Sequence, residues 1–239
     1  IMTMKKHNTI KPLILTLLML VGGVGAQAQF EQSVFLNANL PLGDMSQKTN
    51  PNPATQLLGK EAIGSNAIVG FGMGYRAAYH FDIGFGEVAP FVSADFLWNR
   101  INGDMREANT LANRKSPNYF NVPAFLGIAY YYELNEIFTP FAEFALGYDF
   151  LFITPEGNKD DVYYRYRLQN SLAWQVGLGC YFGTHVSVGV HYYGLGKHYV
   201  TYNTDKSNFA PTDLIASSDF NQAQPLSAGS LLLRIGFHF

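Results

Sequence analysis

The stretch Leu168-Gln169-Asn170-Ser171-Leu172-Ala173-Trp174-Gln175-Val176-Gly177-Leu178-Gly179-Cys180-Tyr181-Phe182 decides the fold, because its two parities differ in character along its whole length. Even positions are mostly bulky and apolar; odd positions are small, polar or glycine. A period of two is a β-strand with two unlike faces. The same alternation runs through Val69 to Phe81, where Val69, Phe71, Met73 and Tyr75 are separated by Gly70, Gly72 and Gly74. It returns in Phe144 to Phe152 and in Leu231 to Phe239. Eight strands are read this way: Phe30 to Pro41, Ala67 to Phe81, Val88 to Arg100, Tyr119 to Glu133, Pro140 to Ile153, Tyr166 to Phe182, His185 to Tyr202 and Ser227 to Phe239.

Connection lengths support the count. Asp82 to Glu87, Leu134 to Thr139 and Gly183-Thr184 are tight, whereas Leu42 to Asn66, Ile101 to Asn118, Thr154 to Arg165 and Asn203 to Leu226 are long and polar. Short turns at one end and long loops at the other describe an up-and-down barrel. Which face is inside follows from volume. An eight-stranded barrel is only just wide enough for its inward side chains, so the bulky face points outward and the small, polar face lines the lumen. A water-exposed surface of that kind is excluded, and a lipid-facing one is expected. The 239 residues carry only 14% charged side chains against 15% aromatic ones, which is sparse for a soluble domain. Aromatic residues gather near strand ends, with Tyr79, Phe81, Tyr130, Tyr132, Phe182 and Phe237 on one rim and Trp98, Phe120, Phe150 and Phe152 on the other; such belts mark membrane interfaces. The fold class is therefore all-β, an eight-stranded antiparallel up-and-down transmembrane β-barrel. Two irregularities are expected: a bulge at Pro123, which removes a ladder hydrogen bond, and a slip of face near Gly194-Leu195-Gly196.

Residues 1–28 read as an export signal. Lys5, Lys6 and Lys11 form the positive start, Leu13 to Val24 the apolar stretch, and Ala26-Gln27-Ala28 the small-x-small cleavage site. The barrel then occupies residues 29–239. Cys180 is the single cysteine, so neither an internal disulfide nor a lipid anchor at the cleavage site is expected. A net charge of −2 supplies no basic field for nucleic acid.

Asn121-Val122-Pro123-Ala124-Phe125-Leu126-Gly127, Tyr130-Tyr131-Tyr132, Thr139-Pro140-Phe141, Gly147-Tyr148, Gly177-Leu178-Gly179 and His191-Tyr192-Tyr193-Gly194-Leu195 resemble the outer-membrane protein beta-barrel domain family. The likeness is to the small OmpX/OmpW-like and PorT-like barrels of Gram-negative bacteria, and it covers the whole mature chain. It implies a place in the cell outer membrane, contact with outer-membrane lipid and lipopolysaccharide, and insertion by the barrel assembly machinery. Phe239 resembles the terminal assembly signal of that family. Its members include structural barrels, adhesins, small channels and secretion accessories, so function does not travel with the fold.

Inward parity assigns Arg76, Asp95, Glu143, Asp149, Arg167 and Arg234 to a lumen ion-pair network, since charges in a narrow interior require partners. Arg76 falls opposite Ser93 and diagonal to Asp95, and Arg234 lies at the depth of Glu143. The expected role is a structural plug; the competing one is a selectivity filter or gate. Glu31, His80, Glu133, His185 and His238 gather at the periplasmic mouth. A metal site is not expected there, because no His-x-x-x-His spacing supports one, and no cofactor is expected anywhere. His191-Tyr192-Tyr193 invites comparison with outer-membrane lipid deacylases, which carry a His-x-Ser pair, but Tyr193 occupies the serine position and the nucleophile is missing. The chain is therefore read as no enzyme. Gly70-x-Gly72-x-Gly74 lies within a strand and lines the lumen instead of cradling phosphate. The leading reading is a monomeric barrel with a structural or surface-interaction role through its long loops. The alternatives are a narrow channel for small or hydrophobic solutes and an accessory of a secretion or assembly machinery.

Overall fold

A computed structural model describes residues 29–47, 66–111, 113, 115–135, 137–157, 163–200, 202–205 and 224–239. Residues 1–28, expected to be an export signal, lie outside the described residues. Eight strands close a barrel: β1 (Gln29–Gly43), β2 (Gly70–Asp82), β3 (Glu87–Arg100), β4 (Asn118–Tyr131), β5 (Phe138–Ile153), β8 (Gln169–Phe182), β9 (Val186–Val200) and β11 (Gln224–His238). Each pairs antiparallel with its neighbours in sequence order, and β1 pairs with β11 to shut the cylinder. Closure leaves no unpaired strand edge. Three further short strands, β6 (Glu156–Gly157), β7 (Tyr163–Tyr166) and β10 (Tyr202–Asp205), form a separate sheet in the order β10-β7-β6. The sequence places those segments in or beside long connections; they are extensions of the β5–β8 and β9–β11 connections that pair with each other.

Burial alternates as the sequence pattern requires. In β3 every odd residue from Ala89 to Asn99 is buried, and in β2 the even residues Gly72, Arg76 and Ala78 turn inward while Phe71, Met73 and Tyr75 are exposed. The aromatic belts form contacts of their own. At the loop end Trp98 stacks on Phe120 with ring centroids 6.3 Å apart, and at the turn end Tyr79 lies 5.1 Å from Phe81.

The described parts of two long connections pack into the barrel at the loop end. Helix α1 (Gly103–Leu111) starts where Asn102 Oδ1 accepts the Met105 backbone N–H at 2.8 Å. Its Met105, together with Met45 from the 3-10 turn Asp44–Ser46, is buried in one apolar cluster with Leu97, Tyr119, Leu151, Leu195 and Leu226. The connections Leu42 to Asn66 and Ile101 to Asn118 thus supply a methionine each to the core, which their overall polarity conceals.

The two expected irregularities have different outcomes. Pro123 produces no bulge: it stands opposite Asp149 in a continuous β4–β5 register, and the β3–β4 ladder resumes in the same register on either side of it. Proline only interrupts pairing toward β3 at that point. The slip at Gly194-Leu195-Gly196 is real. Ala228 pairs with Gly196 and Gly229 with Gly194, so Leu195 is the extra residue of a bulge. Inward parity in β9 consequently changes from odd, at Ser187 to Tyr193, to even, at His198 and Val200. Gly196 has φ of +81°, and a Cβ there would meet Ser171 Oγ and the Leu172 carbonyl oxygen. Gly196→Val should therefore lower stability by about 2 kcal/mol or more, read as a shift in the urea midpoint of the refolded protein.

Candidate functional site

Two buried ion pairs occupy the middle of the lumen. Arg76 of β2 donates from Nη1 to Glu143 Oε2 at 2.9 Å and from Nη2 to the hydroxyls of Tyr131 at 2.8 Å and Tyr181 at 2.9 Å. Glu31 Oε1 lies 3.3 Å from the same Nη2. Arg234 of β11 donates from Nη2 to Asp95 Oδ1 at 2.8 Å and from Nε to Asn37 Oδ1 at 2.9 Å. Tyr193 contacts the same guanidinium and gives its hydroxyl proton to Asp95 Oδ2 at 2.7 Å. Glu143 joins the two halves: its Oε1 accepts from Gln175 Nε2 at 3.1 Å and lies 3.0 Å from His191 Nδ1 and 4.0 Å from Arg234 Nη1. Arginine is suited to this role because its planar fork reaches several acceptors at once. Phe35 lies against both cations, with its ring centroid 5.5 Å from Arg76 Cζ and 4.4 Å from Arg234 Cζ.

The pairing differs from the expected one in one respect. Arg76 does face Ser93 in the β2–β3 register, yet Asp95 turns to Arg234 and not to Arg76. Gly74 explains the geometry, since a Cβ on it would strike the Asp95 carboxylate. Gly177 likewise makes room for His191 and Glu143. The glycine-rich inner face thus makes room for large polar side chains from neighbouring strands.

Two residues assigned to the network lie elsewhere. Arg167 is exposed in the link between β7 and β8, because β8 begins only at Gln169 and the alternation no longer governs its direction. Asp149 is fully buried but nearer the loop end, with its Oδ2 3.1 Å from His198 Nε2. Only the change of parity after the Leu195 bulge brings His198 inward to meet it.

At the turn end, Glu31, His80 and His238 come together as expected, while Glu133 and His185 stand exposed on the rim of the same cavity. His238 Nδ1 lies 3.1 Å from Glu31 Oε1, 2.8 Å from Ser33 Oγ and 3.0 Å from Tyr181 OH, and its Nε2 is 2.7 Å from Ser187 Oγ. His80 Nδ1 is 2.8 Å from Glu87 Oε2. The mouth has a volume of about 910 Å³. Among the described residues no group of three or more histidine, cysteine or acidic side chains is arranged to hold a metal ion.

Ser187, His238 and Glu31 have the order of a nucleophile, base and orienting carboxylate. Ser187 is only 3% exposed, lies outside the cavity lining, and is covered by the backbone of Gly236. A serine enclosed in this way has no face open to an ester, and the cluster acts as a hydrogen-bonded wall. Reasoning from sequence missed Tyr131, Tyr181, Tyr193 and His191, which carry much of the network. Their inward parity is readable in the sequence, but the expected network is drawn from formally charged residues alone, which leaves out tyrosine hydroxyls and a buried imidazole.

No protein-family model matches the chain, and no curated protein does. Among solved structures the chain is similar to Neisserial surface protein A, at 9% identity over 89% of this chain and 98% of that one, with a TM-score of 0.41. It is similar to Ail, the attachment invasion locus protein of Yersinia pestis, at 12% identity over 90% and 100%, with a TM-score of 0.41. A major outer membrane protein from Thermus thermophilus gives 16% identity over 88% and 100%, with a TM-score of 0.45. The structures it resembles are small outer-membrane barrels.

Asp95→Ala strands the Arg234 guanidinium without its carboxylate and should cost about 3–5 kcal/mol. Replacing both members together, Asp95→Leu with Arg234→Met, should recover most of that loss, measured as urea midpoints in a double-mutant cycle.

Proposed function

We propose that this chain is an integral outer-membrane β-barrel with a filled polar lumen, serving a structural or surface-interaction role through the connections at its loop end. The observation that carries this reading is the reversal of polarity between wall and interior. Leu126 is 67% exposed and Leu178 63%, whereas Arg76 is 2% and Glu143 4% exposed. A belt of uncovered leucine, phenylalanine and valine around a closed cylinder suits hydrocarbon and not water. The turn end then faces the periplasm and the loop end the exterior. Outer-membrane lipid and lipopolysaccharide cover the wall, the barrel assembly machinery inserts the chain with Phe239 as its signal, and the barrel stands as a monomer.

The two arginine–carboxylate pairs and the tyrosines between them support a lumen closed to free diffusion. No open pore is needed for a barrel that works through its outer surface. The enclosure of Ser187 supports a non-enzymatic role, and no turnover on lipopolysaccharide is expected.

In lipid vesicles, Leu126→Arg should destabilise the barrel by about 2–4 kcal/mol, measured by urea titration; a loss within 0.5 kcal/mol, about what an ordinary surface position shows, would contradict a lipid-facing wall. In planar bilayers the unaltered protein should give no stepwise conductance. Reproducible current steps from it would overturn the filled lumen in favour of a channel.

A further inference from the structure

Four aromatic side chains form one row across the outer wall near the loop end. In the pairing of β2 to β5, Phe71 stands opposite Trp98, Trp98 opposite Phe120, and Phe120 opposite Phe152. Phe71 is 59% exposed and Phe152 45%, so the row faces away from the lumen. Phe71 meets the Trp98 indole edge-on with ring centroids 4.9 Å apart, and Phe120 lies nearly parallel to it, at an interplanar angle of 11°. The indole is thereby held from both neighbouring strands.

The next outward pair toward the loop end is Arg100 and Asn118, which stand opposite each other in the β3–β4 register. Arg100 is exposed, with Cζ 4.6 Å from the centroid of the Trp98 ring. An indole face orients a guanidinium but accepts none of its in-plane N–H groups. Among the described residues no carboxylate pairs with this cation. Asn118 Oδ1 accepts the Trp98 Nε1–H at 3.2 Å, which fixes the amide and leaves Nδ2 with its two N–H groups as the free end. Thr154 pins the same residue through the backbone, its Oγ1 accepting the Asn118 N–H at 2.8 Å and its own N–H donating to the Asn118 carbonyl at 3.0 Å. The pair therefore presents a positive charge and N–H donors, with its side-chain acceptor already spent. An anionic, oxygen-rich group joined to apolar chains satisfies both the donors and the ring row beside them.

We propose that this outer face of β2 to β5 holds one lipopolysaccharide molecule, a phosphate of its lipid anchor on Arg100 and Asn118 and its acyl chains along Phe71, Trp98 and Phe120. Arginine matches phosphate with two parallel N–H bonds, and rings at the headgroup level place hydrocarbon next to that contact. Free phosphate uses the donors alone and leaves the ring row uncovered, so it binds weakly. The inference rests on the orientation proposed above, in which the loop end lies outside, and adds to it the place on the wall where the lipid is held. Lys197 of β9 is exposed as well, but it lies four strands round the barrel from β3 and serves as the comparison.

The test titrates the full refolded barrel in detergent micelles with lipid A, the phosphorylated anchor of lipopolysaccharide, with dephosphorylated lipid A and with phosphatidylglycerol, and counts bound lipid by native mass spectrometry. Lipid A should bind one to one, about tenfold or more tightly than its dephosphorylated form. Arg100→Gln keeps a polar side chain and removes the charge, so affinity for lipid A should fall by about tenfold, whereas Lys197→Gln should change it by no more than about twofold. The chain has two tryptophans, so Trp174→Phe leaves Trp98 as the reporter, and its fluorescence should change and saturate with lipid A. Heat-modifiable migration on a gel establishes that each variant is folded, and the lipid series on the unaltered protein decides the matter if a variant is not. Equal binding of dephosphorylated lipid A, equal binding of phosphatidylglycerol, unchanged affinity in folded Arg100→Gln, or an equal loss in Lys197→Gln would each overturn the proposal. Any of these results leaves the membrane reading intact, since that is tested in vesicles and bilayers.

Discussion

Closure of β1 onto β11 is the constraint on which the structure depends. A sheet has two edges of unpaired N–H and C=O groups, and in hydrocarbon neither edge finds a partner. Here Gln32 and Phe239 exchange both backbone hydrogen bonds at 3.0 Å, and the pairing continues from Ser33–His238 to Gly43–Ala228. With eight strands the resulting cylinder has no room for a second apolar core. Most bulky apolar side chains therefore go to the wall, and those that turn inward must fit a narrow space.

Within that limit the interior is organised by depth. Hydroxyls, imidazoles and Glu31 occupy the turn end, two guanidinium–carboxylate pairs the middle, and an apolar cap built around Met45 and Met105 the loop end. The two guanidinium groups each have several hydrogen-bond partners, which is the condition under which buried ion pairs are tolerated. Tyrosine is the residue that makes the middle layer work. Tyr131, Tyr181 and Tyr193 fill space with a ring and address the guanidinium groups with a hydroxyl.

Fold and site were legible to different degrees. Period-two alternation from Leu168 to Phe182 and the spacing of tight turns suffice for the strands, because both follow from backbone geometry alone. Pairing partners inside the lumen were only half legible. Arg76 opposite Ser93 comes from counting back from a turn, but the choice of Glu143 over Asp95 depends on which glycine leaves space, and that is a three-dimensional fact. His198 was hidden for another reason: one extra residue at Leu195 reverses every direction after it. Arg167 shows the opposite error, parity carried past the end of a strand. Met45 and Met105 sit in segments whose composition is polar, so their burial has no local signature.

The mouth network joins side chains from the first barrel strand, through Glu31 and Ser33, to the last, through His238, with Arg76, Tyr131 and Tyr181 from strands in between. During synthesis His238 emerges after every other member of that set. A chain still open at its seam therefore leaves Glu31 and Ser33 without their His238 contacts. Docking of the final strand completes the polar shell and the backbone ladder in one event. Polar network and seam are thus one structural unit, and loss of the final strand would undo both at once.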